Sequence, residues 1–266
     1  MSLPSQALAL VSSALLALAP ASLALAQAQN APRVVPLDPP AAATMPAGPL
    51  GDAIRLGQRV VTDTQGTVKA NVGNGLNCTS CHLDAGRTAY AAPLAGLTGL
   101  FPEYRARTGT VETLEERIID CFERSMNGKP LAHDSPAMIG LLAYIAWLSQ
   151  GVPTGSEVAG RGFRKLAAAS PPDSARGRTL YAARCAMCHG ADGRGVRAGG
   201  GYAMPPLWGP DSFNTGAGMA RIETAAAFVQ AKMPLNTPGA LTSQDAFDIA
   251  AFFTVQARPA FRAPPR

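Results

Sequence analysis

The pattern Cys-x-x-Cys-His occurs twice in this chain, at residues 78–82 and at residues 185–189. In c-type cytochromes the two thiols of this pattern bond covalently to a haem, and the histidine becomes an axial ligand of the iron. A zinc site or a redox-active cysteine pair would not require a histidine directly after both cysteine pairs. The sequence therefore predicts two covalently bound haem c groups. The residues predicted to bind them are Cys78, Cys81, His82, Cys185, Cys188 and His189.

The N-terminus has the composition of a secretory signal peptide. Residues 7–26 are mostly Ala, Leu, Val and Ser, and they end in the small-x-small cleavage pattern Ala24-Leu25-Ala26. A basic region before the apolar stretch is missing, so a retained membrane anchor is the alternative to cleavage. No second long apolar run follows. Since haem c is attached outside the bacterial cytoplasm, we expect a periplasmic protein with no stable membrane insertion after cleavage.

Apolar residues recur at helical spacing on both sides of each motif, and no alternating series of apolar and polar residues indicates a strand. The predicted fold class is therefore all-α, with two tandem cytochrome c-type domains that each bind one haem. Residues 110–116 are predicted to open the helix that carries the fifth cysteine. The predicted divisions are a signal peptide at 1–26, a flexible segment at 27–50, domain 1 at 51–150, a linker at 151–172, domain 2 at 173–258 and a tail at 259–266.

The second axial ligand decides whether a haem carries electrons or performs chemistry. In domain 1, Cys121 lies on the same helical stripe as Leu114 and Ile118, which faces the interior. A free thiol in an oxidising compartment is a liability, so its presence favours ligation over the alternative of a small buried apolar residue. The rival ligands in this domain are Met126, Met138 and His133.

In domain 2 the candidate ligands are neighbours, Lys232 and Met233. Methionine is a common ligand of electron-transfer haems, whereas lysine ligates only as the neutral amine. We predict Met233 as the ligand and Lys232 as an alternative in another redox state. Met204 and Met219 are weaker rivals.

Several segments resemble the thiosulfate dehydrogenase family of periplasmic two-haem cytochromes. These are Phe101–Arg107, Leu114–Leu131, Asp134–Met138, Pro205–Gly209 and Lys232-Met233-Pro234. The resemblance covers nearly all of the chain after the signal peptide, and its most specific part is the block around Cys121. It implies oxidation of two thiosulfates to tetrathionate, with the reverse reaction in some members. It further implies that Cys121 ligates the catalytic haem and that another cytochrome c exchanges electrons with the protein.

Thiosulfate is a dianion, so a site that joins two of them needs cations. Arg105 and Arg107 lie in the loop before the helix of Cys121, where binding residues are common. Arg117 and Arg124 on that helix are equally well explained as solvated charges. The predicted catalytic residues are Cys121, Arg105, Arg107 and Ser125, the last as a hydrogen-bond donor.

Two other functions fit parts of the sequence. A non-catalytic electron carrier would have methionine or histidine on both irons, which Cys121 argues against. A Sox-type sulfur-transferring subunit also uses a cysteine-ligated haem, but the two intact motifs favour the dehydrogenase. The net charge of +5 is scattered and contains no Lys/Arg-rich run that would indicate a nucleic-acid partner. It suits an anionic substrate or an acidic redox partner, and equally an ordinary solvated surface.

Overall fold

A computed structural model of the protein describes residues 33–263. The predicted signal peptide at 1–26, residues 27–32 and residues 264–266 lie outside the described residues. Helices form the main elements, and no helix within 33–263 is both long and apolar enough to cross a bilayer. The six longest are α1 Gly48–Thr62, α2 Leu114–Asp120, α3 Pro136–Leu148, α4 Ser174–Arg184, α5 Ile222–Lys232 and α6 Ser243–Thr254.

Shorter helical turns connect these elements. They are Ala42–Thr44, Thr64–Thr67, Lys69–Asn71, Cys78–Ser80, Leu83–Gly86, Leu97–Gly99, Ala186–His189 and Gly218–Ala220. The segment Cys121–Ser125 continues α2 directly, but as a π-helix rather than an α-helix.

Side-chain caps set where the helices begin. Thr113 forms a capping box with Glu116 at the start of α2, and Thr242 forms one with Asp245 at the start of α6. The prediction that residues 110–116 open a helix is wrong for 110–112, because the Thr113 cap fixes the helix start and the preceding residues are extended.

Three short strand pairs accompany the helices. β1 (Val34–Val35) pairs in parallel with β4 (Glu157–Val158). β2 (Glu103–Arg105) and β3 (Thr110–Glu112) form an antiparallel hairpin, as do β5 (Val196–Ala198) and β6 (Gly201–Met204). The expectation of no strands is therefore wrong in detail, because strands of two to four residues are too short to show an alternating pattern.

Each half of the molecule is built on one close helix crossing. In the first half α1 packs against α3, and a Cβ atom on Gly57 would lie 1.9 Å from the Gly140 carbonyl oxygen. In the second half α4 and α5 both pack on α6, and a Cβ on Gly177 would lie 1.8 Å from the Asp248 carbonyl oxygen. Glycine is required at both crossings because the backbones approach too closely for any side chain.

Candidate functional site

The first Cys-x-x-Cys-His motif lies on a short helical turn after α1. Cys78 is held by Thr64, whose hydroxyl accepts from the Cys78 N–H at 3.0 Å. The His82 ring places Nδ1 2.6 Å from the Ala92 carbonyl oxygen. A carbonyl can only accept, so Nδ1 carries the proton and Nε2 keeps the lone pair that binds a metal.

Cys121 faces this histidine from the π-helical segment. Arg117, one turn earlier on α2, donates from Nη1 to Cys121 Sγ at 3.0 Å. Burial opposes ionisation of the Cys121 thiol, yet the charge of Arg117 and the nearby His82 ring lower its pKa to about 7. Burial instead raises the pKa of Cys78 to about 11 and that of Cys81 to about 12. Of the three thiols in this region, Cys121 is thus by far the most acidic and the one that can act as a thiolate.

The second motif repeats the histidine arrangement. His189 is buried, and its Nδ1 lies 2.9 Å from the Pro205 carbonyl oxygen, which leaves Nε2 available as a ligand. Burial lowers the pKa of His189 and so favours the neutral, metal-binding form of the ring. Burial also raises the pKa of Cys185 to about 11.

The arginines predicted to serve the site are not the one that contacts the Cys121 sulfur. Arg105 donates to Glu103 at 2.9 Å, and Arg107 donates to Asp120 at 2.5 Å and to the Gly216 carbonyl at 3.0 Å. Both guanidinium groups are therefore engaged by carboxylates, while Arg117 is the one at the Cys121 sulfur. The four-residue spacing from 117 to 121 on a helix was the sequence signal for this contact.

Ser125 is the last residue of the π-helical segment and is half-buried. Its carbonyl accepts a hydrogen bond from the side chain of Asn74 at 2.8 Å. The neighbouring Arg124 forms an ion pair with Asp120 and stacks on Phe261 at 4.0 Å. The π-helical segment is thus surrounded by polar contacts on several sides.

The candidate ligands of the second half lie at the end of α5. Lys232 is the last residue of this helix, and burial together with the charge of Arg164 lowers its pKa. Met233 follows, half-buried and packed against the core. Met219 also packs against the core, whereas Met204 ends β6. Among the rival residues of the first half, Met138 and Met126 are buried and His133 is exposed.

Comparison with known proteins decides the family. Residues 68–154 match the family model described as SoxA/TsdA, cytochrome c domain, and residues 174–254 match the cytochrome c model. A thiosulfate dehydrogenase of Allochromatium vinosum is 51% identical over 238 residues, which is 88% of each chain. A thiosulfate dehydrogenase of Stutzerimonas stutzeri is 47% identical over 222 residues, 83% of this chain and 72% of that one. The chain belongs to the thiosulfate dehydrogenase family.

A solved member of this family has the same architecture. The thiosulfate dehydrogenase TsdBA of Marichromatium purpuratum, in its as-isolated form, superposes with a TM-score of 0.80 at 43% identity. The match covers 83% of this chain but 49% of the other, so this chain spans about half the length of that protein. The two halves described above are cytochrome c domains, and the protein carries two covalently bound haem c groups.

The structure of this thiosulfate dehydrogenase family member fits haem on grounds of its own. Buried donor atoms without a partner among the described residues include Trp147 Nε1, Arg87 Nη2 and Arg258 Nε. The Arg87 guanidinium stacks over the Trp147 ring at 5.1 Å, so two unpaired donors lie together in the first domain. Buried donors without partners are costly, and a group that bears carboxylates, as haem does, would satisfy them.

Proposed function

We propose that this protein is a periplasmic thiosulfate dehydrogenase that joins two thiosulfates into tetrathionate and passes the two electrons to another cytochrome c. The observation that carries the proposal is the Cys121 sulfur, which faces His82 and accepts a hydrogen bond from Arg117. The named activity of the relatives in Allochromatium vinosum and Stutzerimonas stutzeri supports it. The catalytic domain is residues 51–150, the electron-transfer domain is 173–258, and the signal peptide at 1–26 directs export.

The residues that would hold the haem iron differ between the two domains. In the catalytic domain they are His82 and Cys121, which face each other. In the electron-transfer domain they are His189 and Met233, with Lys232 as the alternative ligand in another redox state. Met204 directly precedes Pro205, whose carbonyl holds the His189 ring. We infer from this adjacency that Met204 lies on the histidine side of the site, and this supports Met233 as the second ligand.

The reaction uses Cys121 as a covalent nucleophile. When bound, the haems supply two one-electron acceptors. The Cys121 thiolate joins the outer sulfur of a first thiosulfate, which forms a cysteine S-thiosulfonate and releases two electrons. The outer sulfur of a second thiosulfate then attacks the sulfur attached to Cys121. The bond to Cys121 breaks, tetrathionate leaves and the thiolate is restored. The same two steps in reverse, with two electrons supplied, give tetrathionate reduction.

Cations near the sulfur offset the repulsion between the two dianions. Arg117 is in contact with Cys121 Sγ, so it stabilises the thiolate and the departing sulfur directly. Arg105 and Arg107, which are held by Glu103 and Asp120, supply charge from the β2–β3 hairpin. Ser125 lies one turn beyond Cys121 and offers its hydroxyl to a sulfonate oxygen.

The substitution Cys121→Ala tests the proposal. We expect the variant to keep two covalent haems by intact-mass spectrometry, since neither attachment motif changes. Thiosulfate-dependent reduction of an artificial acceptor should fall by at least about 1000-fold, as for loss of a covalent nucleophile. Electron paramagnetic resonance should lose the low-spin thiolate signal.

His133→Ala is the matched control, because His133 is an exposed rival ligand in the same domain. It should leave both the signal and the rate unchanged. If Cys121→Ala oxidised thiosulfate at the wild-type rate, the protein would be better described as an electron carrier.

A further inference from the structure

The π-helical segment that begins at Cys121 leaves its carbonyl groups to partners outside the helix. In this segment the Met126 N–H bonds the Cys121 carbonyl at 3.0 Å, five residues back. A π-turn contains one more residue than an α-turn and is rarely stable on its own. Helix ends also leave several carbonyls without helical donors. The carbonyls of residues 123–125 therefore need donors from elsewhere in the molecule.

Asn214, from the cytochrome c domain on the other side, provides two of these donors. Its Nδ2 donates to the Glu123 carbonyl at 2.8 Å, and its backbone N–H donates to the Arg124 carbonyl at 3.2 Å. The side chain is 2% exposed, and its Oδ1 accepts from the Gly216 N–H at 3.0 Å. Nδ2 also donates to Asn127 Oδ1 at 3.3 Å, so the amide is fully paired and fixed in orientation.

Asn74 provides the third donor and joins the same two parts of the molecule. Its Nδ2 lies 2.8 Å from the Ser125 carbonyl and 3.2 Å from the Ser212 carbonyl. Next to it, the Gly75 N–H donates to the Asp211 carbonyl at 2.9 Å. The loop at 211–216 of the electron-transfer domain is therefore hydrogen-bonded to the π-helical segment both directly and through Asn74.

We propose that Asn214 is a positioning residue for Cys121, and that it places the sulfur by holding the π-turn open. Each residue of an α-helix is rotated by about 100° from the one before. If the turn closed to α-helical spacing, Cys121 would therefore rotate relative to residues 126–128. Those residues are fixed separately, because the Met126 carbonyl accepts from the Gly73 N–H at 2.9 Å and the next residue, Lys129, donates its N–H to the Asn71 carbonyl at 3.0 Å. The electron-transfer domain thus sets the geometry of the thiolate whose electrons it receives.

This inference rests on the proposed role of Cys121 as ligand and reactive thiol. The test distinguishes failure of the positioning inference from failure of that proposed role. Asn214→Ala removes the donor to Glu123, and Asn214→Asp replaces that donor with an acceptor. For both variants in the full haem-loaded protein, we expect the low-spin thiolate signal to fall at least twofold. The kcat for thiosulfate should fall about tenfold, the effect of one lost buried hydrogen bond on a reacting group. The KM should change by less than the kcat, because Asn214 bonds the backbone beneath the thiol.

Asn71→Ala is the matched control. Asn71 also donates from Nδ2 to a backbone carbonyl in the catalytic domain, that of Pro130 at 2.8 Å, but it does not bond the π-helical segment. It should lower thermal stability without altering the thiolate signal or kcat. If Asn71→Ala changed the signal as much as Asn214→Ala, the effect would be general destabilisation and the inference would be wrong.

A second variant, Asn74→Ala, tests the same inference if Asn214→Ala folds poorly. Asn74→Ala changes no residue of the loop at 211–216, removes the donor to the Ser125 and Ser212 carbonyls, and should lower the thiolate signal and kcat in the same direction. Suppose that Cys121→Ala abolished activity while the Asn214 and Asn74 variants kept the wild-type signal and kcat. The positioning role of Asn214 would then be wrong, and the proposed function would still stand. If Cys121→Ala itself stayed active, the proposed function would fail first.

Discussion

The two cytochrome c domains hold their histidines in the same way and differ on the opposite side of the site. In both domains a backbone carbonyl fixes Nδ1 of the motif histidine, Ala92 for His82 and Pro205 for His189. Opposite His82 lies a thiol beside a guanidinium group. In the second domain the proposed counterpart is Met233, a thioether at the end of α5.

The proposed difference in ligands indicates which part of a cytochrome fold can change while the haem-attachment motif stays the same. The attachment motif and the histidine depend on local sequence and recur almost unchanged. The opposite face is built by a separate helix, so one residue there changes the electronic properties of the site. A thiolate donates charge and lowers the reduction potential, while a thioether raises it. We therefore expect the first haem to titrate below the second.

Cys121→Met is expected to have the largest effect, because it would give both domains the same kind of ligand. It should raise the potential of the first haem toward that of the second and add a second thioether-to-iron absorption band. Thiosulfate oxidation should fall at least about 1000-fold, since a thioether cannot form the covalent intermediate. Spectroelectrochemical titration measures the potential. A variant that kept the wild-type potential would show that Cys121 does not ligate the iron.

Arg117→Gln removes the charge at the Cys121 sulfur and should have the next largest effect. A hydrogen bond to a charged group contributes about 1.5–3 kcal/mol, so we expect kcat/KM for thiosulfate to fall about 10- to 100-fold. Arg105→Gln is the matched comparison, because Arg105 binds Glu103 rather than the sulfur. Steady-state kinetics of both variants show which arginine serves the thiolate. If Arg105→Gln lost as much kcat/KM or more, Arg105 in the β2–β3 hairpin would be the arginine that mainly serves the thiolate.

Features determined by neighbouring residues could be predicted from the sequence. The caps at Ser135, Asp173 and Thr242 follow from local hydrogen-bonding patterns, and the structure contains all three. The hairpin β2–β3 could not be predicted, because each strand has three residues and its pairing depends on the other.

The candidate site was predictable only in part, because some of its contacts join residues that are far apart in the sequence. Cys121 stood out as the cysteine left over from two motifs, and its helix could be placed. The π-turn at 121–125 could not, because its carbonyls are satisfied by Asn74 and Asn214, far away in the sequence. The contact of Arg117 was visible as a four-residue spacing, but the pairing of Arg107 with Asp120 depends on tertiary structure.

Gly57→Ala and Gly177→Ala test whether the two domains depend equally on their helix crossings. The added Cβ would lie within 2 Å of a carbonyl oxygen in each case, so the helices must separate. Overpacking of this kind costs about 1–3 kcal/mol, and Gly57→Ala should destabilise the first domain while Gly177→Ala destabilises the second. Thermal unfolding followed by the absorbance of each haem distinguishes them. Gly218→Ala, where the added Cβ meets open space, is the control.

The smallest expected effect concerns the buried carboxylate of Asp248, which stands where the first domain has Gly140. Burial opposes its ionisation, but the Asp173 N–H at 2.8 Å, Arg176 and Gln244 hold its pKa below the usual value. A carboxylate with a lowered folded pKa contributes stability above its unfolded pKa of about 3.9 and loses it as the pH falls through the folded pKa.

We therefore expect Asp248→Asn to destabilise the second domain at pH 7 by about 1 kcal/mol, the contribution of one hydrogen bond. The difference from wild type should shrink as the pH falls below about 4, because the unfolded carboxylate takes up its proton there while the native one is protonated only at its lower folded pKa. Thermal unfolding of both proteins across this range, followed at the second haem, measures the difference. An equal difference in stability at pH 7 and at pH 3 would mean that Asp248 stabilises the crossing without its charge.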